Sequence, residues 1–83
     1  MESYEGIIVF LIVDDAQKAY LEVEDSKTYL LIIEGLGSID TFNQLVSIGF
    51  FNGQKVKANG MLYFHKEYSN TLFLKSNSAI EKM

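Results

Sequence analysis

The few residue types able to perform chemistry limit what this chain can do. His65 is its one histidine, and both cysteine and arginine are absent. A catalytic histidine needs a partner that it activates, and a metal site here would need carboxylate ligands, of which Glu67 is the nearest in sequence. Without cysteine there is no disulfide, thiolate zinc site, iron–sulfur cluster or thiol catalysis. No phosphate-binding glycine loop or nucleophile elbow is present, so the residues predict a protein that is not an enzyme and holds no cofactor.

Asp14 and Asp15 are adjacent carboxylates that could give oxygen ligands to a calcium ion. The spacing of a calcium-binding loop, with oxygen ligands at alternate positions, is missing around them. A polar turn explains the pair at least as well, because aspartate is common in turns. We therefore predict no metal site in the chain.

Aromatic residues and lysines together would suit single-stranded nucleic acid. The chain has five tyrosines, six phenylalanines and seven lysines. Its formal net charge is −4, however: nine acids and two lysines give −7 in residues 1–42, and two acids and five lysines give +3 in residues 43–83. Nucleic-acid binding needs a basic groove besides stacking rings, so it is the alternative function rather than the first. The lysines available for a basic stripe late in the chain are Lys55, Lys57, Lys66 and Lys75.

Apolar periodicity predicts five strands and one helix. The unbroken apolar run at 6–13 is typical of a strand covered on both faces, and residues 18–24 alternate strictly between apolar and polar. A later segment has helical spacing, with Asp40 as its predicted N-cap and Gly49 just past its end. The predicted elements are strands at 6–13, 18–24, 28–33, 55–64 and 71–75 and a helix at 40–48.

The dipeptide Asn59-Gly60 is a typical hairpin turn, yet the alternation of the fourth strand continues through it. A turn there would pair lysines with large apolar residues. We therefore predict one continuous strand with a bulge or a close backbone approach at Gly60. Met61 and Tyr63 then lie on the outer side of this strand.

A predicted hairpin at 17–34 carries apolar residues on both of its faces. Asp25-Ser26 has the chemistry of a two-residue turn, which would set Glu24 opposite Lys27. This register sends alternate residues to the core and leaves the others outside, unless the helix or the tail covers them. Aromatic and apolar side chains of this kind are typical of protein interface centres. The outer set, called here the predicted interaction face, is Tyr20, Glu22, Tyr29, Leu31 and Ile33.

The order strand, strand, strand, helix, strand, strand over residues 4–76 resembles the oligonucleotide- and oligosaccharide-binding (OB) barrel, a five-stranded Greek-key barrel. Gly6, which opens the long first strand, and the mid-strand Gly60 support the resemblance locally. It implies a ligand lying across the second and third strands, between rims formed by the loops after the first and fourth strands. The alternative architecture is an SH3-like barrel, which usually lacks a helix at this position. The rim residues that the resemblance implies are Asp14, Asp15, His65, Lys66 and Tyr68.

Length and composition restrict the organisation of the chain. Its 83 residues predict a single domain, with an ordered core at 4–76 and a frayed or weakly helical tail at 77–83. The longest apolar run, at 6–13, is far shorter than the roughly 20 residues of a membrane-spanning helix. The first residues are acidic, unlike a secretory signal, so we expect a cytoplasmic protein with no membrane partner.

Together these features predict a small mainly-β barrel with one short helix that acts through a surface. Its expected partner is another protein or a second copy of itself, giving a homo-oligomer. Single-stranded nucleic acid is the alternative partner.

Overall fold

The computed structural model describes residues 2–24, 27–64 and 70–83. The elements follow the predicted order, with one further strand after the fifth. A short 3-10 helix, Asn77–Ala79, precedes that strand. The strands are β1 (Glu2–Val13), β2 (Ala16–Val23), β3 (Lys27–Ile33), β4 (Lys55–Tyr63), β5 (Thr71–Leu74) and β6 (Ile80–Lys82), and the helix is α1 (Ser38–Ser47).

β1 closes the sheet into a barrel because it pairs with two partners. Its residues 2–7 are antiparallel to β4, and its residues 7–13 are antiparallel to β2. β3 lies parallel to β5, which is antiparallel to β4, so the strand order β1-β2-β3-β5-β4 returns to β1. The protein is thus a closed five-stranded mixed barrel with one helix. This confirms the predicted fold class.

Glycine is required at two places where backbones approach closely. A Cβ atom on Gly6, where β1 passes from β4 to β2, would lie 2.3 Å from the backbone oxygen of Glu22. A Cβ atom on Gly60 would lie 2.3 Å from the backbone oxygen of Phe73. β4 runs unbroken through Asn59 and Gly60, so the continuous strand and the close approach at Gly60 are both confirmed.

The barrel core is built from alternate residues of each strand. In β4, Val56 and Ala58 are fully buried, whereas Lys55 and Lys57 are exposed, as the alternation predicts. Phe42 of α1 packs against this core and meets the ring of Phe10 edge to face. The largest fully buried apolar side chains are Ile8, Leu21, Leu31, Leu45, Val56, Leu72 and Leu74.

α1 begins two residues before its predicted start. Gly37 occupies the N-cap position, and its carbonyl accepts the first helical hydrogen bond, from the backbone N–H of Thr41 at 2.9 Å. The prediction of Asp40 as N-cap was therefore wrong, because Asp40 lies in the first turn, where its charge still favours the positive end of the helix dipole. Gly49 follows the helix with φ of 102°, so the predicted end is confirmed.

The β2–β3 hairpin differs from the prediction by one residue in register. Val23 pairs with Lys27, so three residues rather than two separate the paired positions. Asp25 and Ser26, the predicted turn, lie outside the described residues. A shift of one residue sends every side chain of β3 to the opposite face. The run at 28–33 is apolar at almost every position, so its own pattern does not reveal which face is inside.

Residues 77–83, expected as a frayed or weakly helical tail, contain the 3-10 helix Asn77–Ala79 and then strand β6, which joins the sheet. β6 pairs antiparallel with β4, with Ile80 opposite Ala58. Ile80 is buried in the core, and the backbone N–H of Met83 donates to the carbonyl of Lys55 at 3.0 Å. β6 has only three residues, of which Ile80 alone is buried. Three residues are too few for an alternation that would predict a strand from the sequence.

Candidate interaction surface

The predicted interaction face does not form, because most of its members point into the core. Tyr29, Leu31 and Ile33 belong to the core cluster. Tyr20 lies at an outward register position opposite Leu30, but only 6% of it is exposed. Glu22 alone is an exposed member of that set. The cause is the one-residue shift between β2 and β3, which exchanges the inner and outer residues of β3.

Asp14 and Asp15, predicted at the rim, form the tight turn between β1 and β2. Val13 pairs directly with Ala16 across them, and their φ angles are 52° and 64°. Positive φ at both central residues is the geometry of a type I′ hairpin turn, which aspartate tolerates better than most residues. The pair is thus accounted for by the turn. The other predicted rim residues, His65, Lys66 and Tyr68, lie outside the described residues.

Apolar side chains occupy most outward register positions of three adjacent strands, the exception being Thr71 of β5, which lies between Leu30 and Tyr63. Ile32 of β3 is opposite Phe73 of β5, which is opposite Met61 of β4; Tyr63 follows Met61 on the same side of β4. Met61 is 57% exposed and Tyr63 is 50% exposed. This surface is called here the outer apolar face, and it comprises Leu30, Ile32, Met61, Tyr63 and Phe73.

A groove of about 430 Å3 lies on the β4–β5 side of this face, where Met61, Tyr63 and Phe73 line it. The rings of Tyr63 and Phe73 meet edge to face in its wall, with centroids 5.0 Å apart and an interplanar angle of 81°. Glu34 and Lys75 line it at the ends of β3 and β5. The backbone N–H of Glu34 donates to the carbonyl of Leu74 at 2.7 Å, which prolongs the parallel pairing and holds Glu34 and Lys75 side by side. The groove is therefore apolar along its length and has one acid and one base at one end.

The sequence pattern predicts two of the five residues of this face. The alternation in β4 correctly assigns Met61 and Tyr63 to its outer side. Leu30 and Ile32 were missed because the predicted register turned them inward. A signal was nevertheless present, since a β3 run that is apolar on both faces leaves apolar residues outside in either register.

One of the two lysines of β4, Lys57, is flanked by acids on neighbouring strands, whereas Lys55 pairs with Ile7. Lys57 lies opposite Glu5 of β1 on one side and opposite Glu81 of β6 on the other. Lys82 places its Nζ atom 5.6 Å from the ring centroid of Phe50, within the range of a cation–π contact. Acidic neighbours reduce the attraction of Lys57 for phosphate. This part of the surface therefore differs from the basic groove of a nucleic-acid-binding protein.

A second groove, of about 480 Å3, lies between the start of β1 and the β2–β3 hairpin. Tyr4 and Tyr29 meet there edge to face, with ring centroids 5.6 Å apart. The hydroxyl of Tyr4 donates to the carboxylate of Glu2, and this hydrogen bond, together with burial and the carboxylate charge, raises the pKa of Tyr4 to about 12. A phenol with such a pKa is a poor general base near neutral pH.

No family model matches the chain, and no curated protein or solved structure matches it either. Across residues 2–24, 27–64 and 70–83, no helix is long and apolar enough to cross a membrane. The same residues contain no group of three or more histidine, cysteine, aspartate or glutamate side chains that could hold a metal ion.

Proposed function

We propose that this protein is a non-enzymatic interaction module that docks on a protein, either another chain or a second copy of itself, through the outer apolar face. The observation that carries the proposal is the exposure of Met61 and Tyr63 beside Phe73 in an apolar groove. Exposed apolar groups that adjoin one another are uncommon on a protein that acts alone. Tyrosine and methionine are enriched at interface centres.

The energy available at this face is sufficient for a specific contact. Burying the exposed half of Tyr63 removes roughly 100 Å2 from water, worth about 2–3 kcal/mol. Tyr63 already contacts Phe73, so its ring is partly ordered before a partner arrives. Less conformational entropy is then lost on binding.

The proposal includes an OB-like architecture and a cytoplasmic location. A closed five-stranded barrel with a ten-residue helix between β3 and β4 supports the OB resemblance over an SH3-like barrel. The fold by itself assigns no activity. The ligand-binding surface in this proposal lies on β3, β5 and β4, rather than on β2 and β3 as the resemblance implies.

Single-stranded nucleic acid remains the alternative partner, because Tyr63 and Phe73 could stack on bases. The charges favour a protein instead. At the groove, Lys75 is accompanied by Glu34, and on β4 the neighbours of Lys57 are Glu5 and Glu81. Binding through phosphates would weaken steeply as salt rises, whereas apolar docking would not.

Site-specific photo-crosslinking tests the proposal, because it captures a bound protein of any identity. The photoreactive residue p-benzoylphenylalanine replaces Tyr63 in one variant and Asn43, an exposed residue of α1, in the control. Irradiation in cells of the source organism should link the variant at position 63 to a protein, identified by mass spectrometry, and the control should give much less product. Equal yields at both positions, or adducts with nucleic acid alone, would refute the proposal.

A further inference from the structure

We infer that the edge of β4 around Leu62 binds an extended, basic peptide segment of another protein, which joins the sheet as an added strand. This site goes beyond the proposed function, because it is a strand edge beside the start of β1 and not the outer apolar face. Backbone pairing, a groove and charge support it.

The backbone polar groups of Leu62 point away from β5. The backbone N–H of Glu34 donates to the carbonyl of Leu74, so the even-numbered residues of β5 bond to β3 and its odd-numbered residues bond to β4. Phe73 therefore exchanges hydrogen bonds with Met61, its partner on β4. Leu62, the next residue, directs its N–H and C=O to the other edge of β4.

On that other edge, β1 does not extend beside Leu62. β1 begins at Glu2, whose partner on β4 is Gly60. Within residues 2–24, 27–64 and 70–83, no strand pairs with β4 on this side beyond Gly60. The N–H and C=O of Leu62 thus form a free edge in line with β1. An extended peptide is the ligand that such an edge takes, because its own backbone satisfies both groups.

A groove of about 290 Å3 lies beside the free edge and receives one side chain of the added strand. Leu62 and Phe64 line it from the end of β4, and Glu2 and Tyr4 line it from the start of β1. A residue paired with Leu62 points its side chain to the same side of the sheet as Leu62, and so into this groove. The volume is that of roughly ten water molecules, which is enough for a long side chain.

The groove selects a basic side chain. Glu2 is exposed, and its carboxylate accepts a hydrogen bond from the hydroxyl of Tyr4, which leaves lone pairs for a further donor. Phe64 is 76% exposed. An arginine or lysine can lay its apolar stem and its charge along the Phe64 ring and donate to the Glu2 carboxylate. The occupant is therefore an extended segment with arginine or lysine opposite Leu62.

The same charge argument disfavours a second copy of this chain at the free edge. Two copies would pair edge to edge through the end of β4, and residues 60–64 contain no lysine or arginine. Glu2 of each copy would then face an apolar strand. A segment of another protein supplies the base.

Nuclear magnetic resonance tests the site with the peptide acetyl-Thr-Ile-Thr-Val-Arg-amide and its lysine analogue. Antiparallel to β4, the peptide sets its arginine opposite Leu62 and its valine opposite Tyr63. In the free protein, the Leu62 amide should exchange with solvent at least about tenfold faster than the amides of Met61 and Tyr63, which bond to β5. Adding the peptide should shift the Leu62 resonance and slow its exchange.

Two N-methylated peptides test whether binding uses the backbone. A methyl group on the arginine nitrogen removes the donor to the Leu62 carbonyl and should weaken binding at least about tenfold. A methyl group on the valine nitrogen, which points away from β4, should leave binding unchanged.

A charge exchange tests the pairing with Glu2. Replacing the peptide's arginine by glutamate should abolish binding to the native protein, and Glu2→Lys should restore binding of the glutamate peptide. Glu5→Lys makes the same charge change at a neighbouring position of β1 that does not line the groove, and it should not restore binding. Circular dichroism checks that both variants fold.

Three outcomes would overturn the inference. The first is a Leu62 amide as slow to exchange in the free protein as its two neighbours. The second is no shift at Leu62 with either peptide up to about 5 mM, and the third is equal binding of the two N-methylated peptides. Crosslinking at position 63 that captures no protein refutes the proposed function and leaves the free edge standing, whereas crosslinking without peptide binding at Leu62 does the reverse.

Discussion

The side chain of Thr41, near the N-terminus of α1, accepts a hydrogen bond at its Oγ1 atom from the backbone N–H of Ile33, at the end of β3, over 2.9 Å. Thr41 is fully buried, and it is one of two buried polar side chains among the described residues. The bond joins the helix to the last residue of the strand that carries Leu30 and Ile32 on the outer apolar face. The hydrogen bond therefore helps to hold the end of β3, next to Glu34, against the helix.

Replacing Thr41 by valine should destabilise the protein by about 1–3 kcal/mol. Valine has nearly the same shape but no acceptor, so the N–H of Ile33 loses its partner in a buried place. Urea denaturation followed by circular dichroism measures the change. Thr28→Val is the matched control at a partly exposed position of β3, and its effect should stay within about 0.5 kcal/mol. Equal effects of the two substitutions would show that the hydrogen bond is not important for stability.

Gly60→Ala should destabilise the barrel by about 1–3 kcal/mol, because the new Cβ atom must displace the backbone of Phe73. Asn59→Ala, one residue earlier in the same strand, is the control and should have a much smaller effect. Thermal unfolding measures both. A neutral Gly60→Ala variant would contradict the close approach of β4 and β5.

The contrast between β4 and β3 shows which parts of the structure are readable from the sequence. In β4, Lys55 and Lys57 can only face solvent, so the alternation gives both the inner and the outer residues correctly. In β3, neighbouring residues such as Leu31 and Ile32 are equally apolar. The length of the turn before β3 therefore decides which of them faces the core. The length of that turn depends on how the whole barrel packs, and the sequence pattern of β3 alone does not show this packing.

Two further features depend on contacts between residues distant in sequence. β6 is recognisable only by its pairing with β4, because three residues are too few for a periodic signal. The outer apolar face combines residues of β3, β5 and β4, so it appears only when the strand order is known. The sequence could therefore predict the barrel and Met61 and Tyr63, but not the residues beside them.

Two tyrosine substitutions test the observed register directly. Tyr29 belongs to the core, so Tyr29→Ala should lower stability by about 3–5 kcal/mol, as large core deletions do. Tyr63 is half exposed, and Tyr63→Ala should cost about 1 kcal/mol, mainly from its contact with Phe73. Chemical denaturation gives both values, and Tyr29→Leu replaces Tyr29→Ala if the latter does not fold. If the register predicted from the sequence were correct, Tyr29 would lie outside the barrel. Tyr29→Ala and Tyr63→Ala would then lower stability by similarly small amounts.

The hydroxyl of Tyr4 should ionise with a pKa of about 12 instead of the ordinary 10. The first cause is its hydrogen bond to Glu2, which favours the neutral phenol, so Glu2→Gln should bring the pKa back toward 10. Since the folded pKa is raised, the stabilisation is complete below pH 10 and is lost as pH rises from 10 through 12. Subtracting the alkaline ultraviolet titration of Tyr4→Phe from that of the native protein isolates this residue. An unchanged Tyr4 pKa in Glu2→Gln would show that the carboxylate is not the cause.

Removing the exposed side chains of the outer apolar face should impair association while leaving the fold intact. Met61→Ala and Tyr63→Ala should each weaken binding by about 1–2 kcal/mol, or roughly tenfold, because interface energy concentrates in such residues. Ile12, at the end of β1, is 70% exposed and lies outside this face, so Ile12→Ala removes comparable apolar surface and should not change association. Sedimentation of the three variants across a concentration range, at low and high salt, makes the comparison. If Ile12→Ala weakens association as strongly as Tyr63→Ala, association depends on general apolar exposure rather than on this face. If high salt abolishes association, charge contacts rather than apolar burial are responsible.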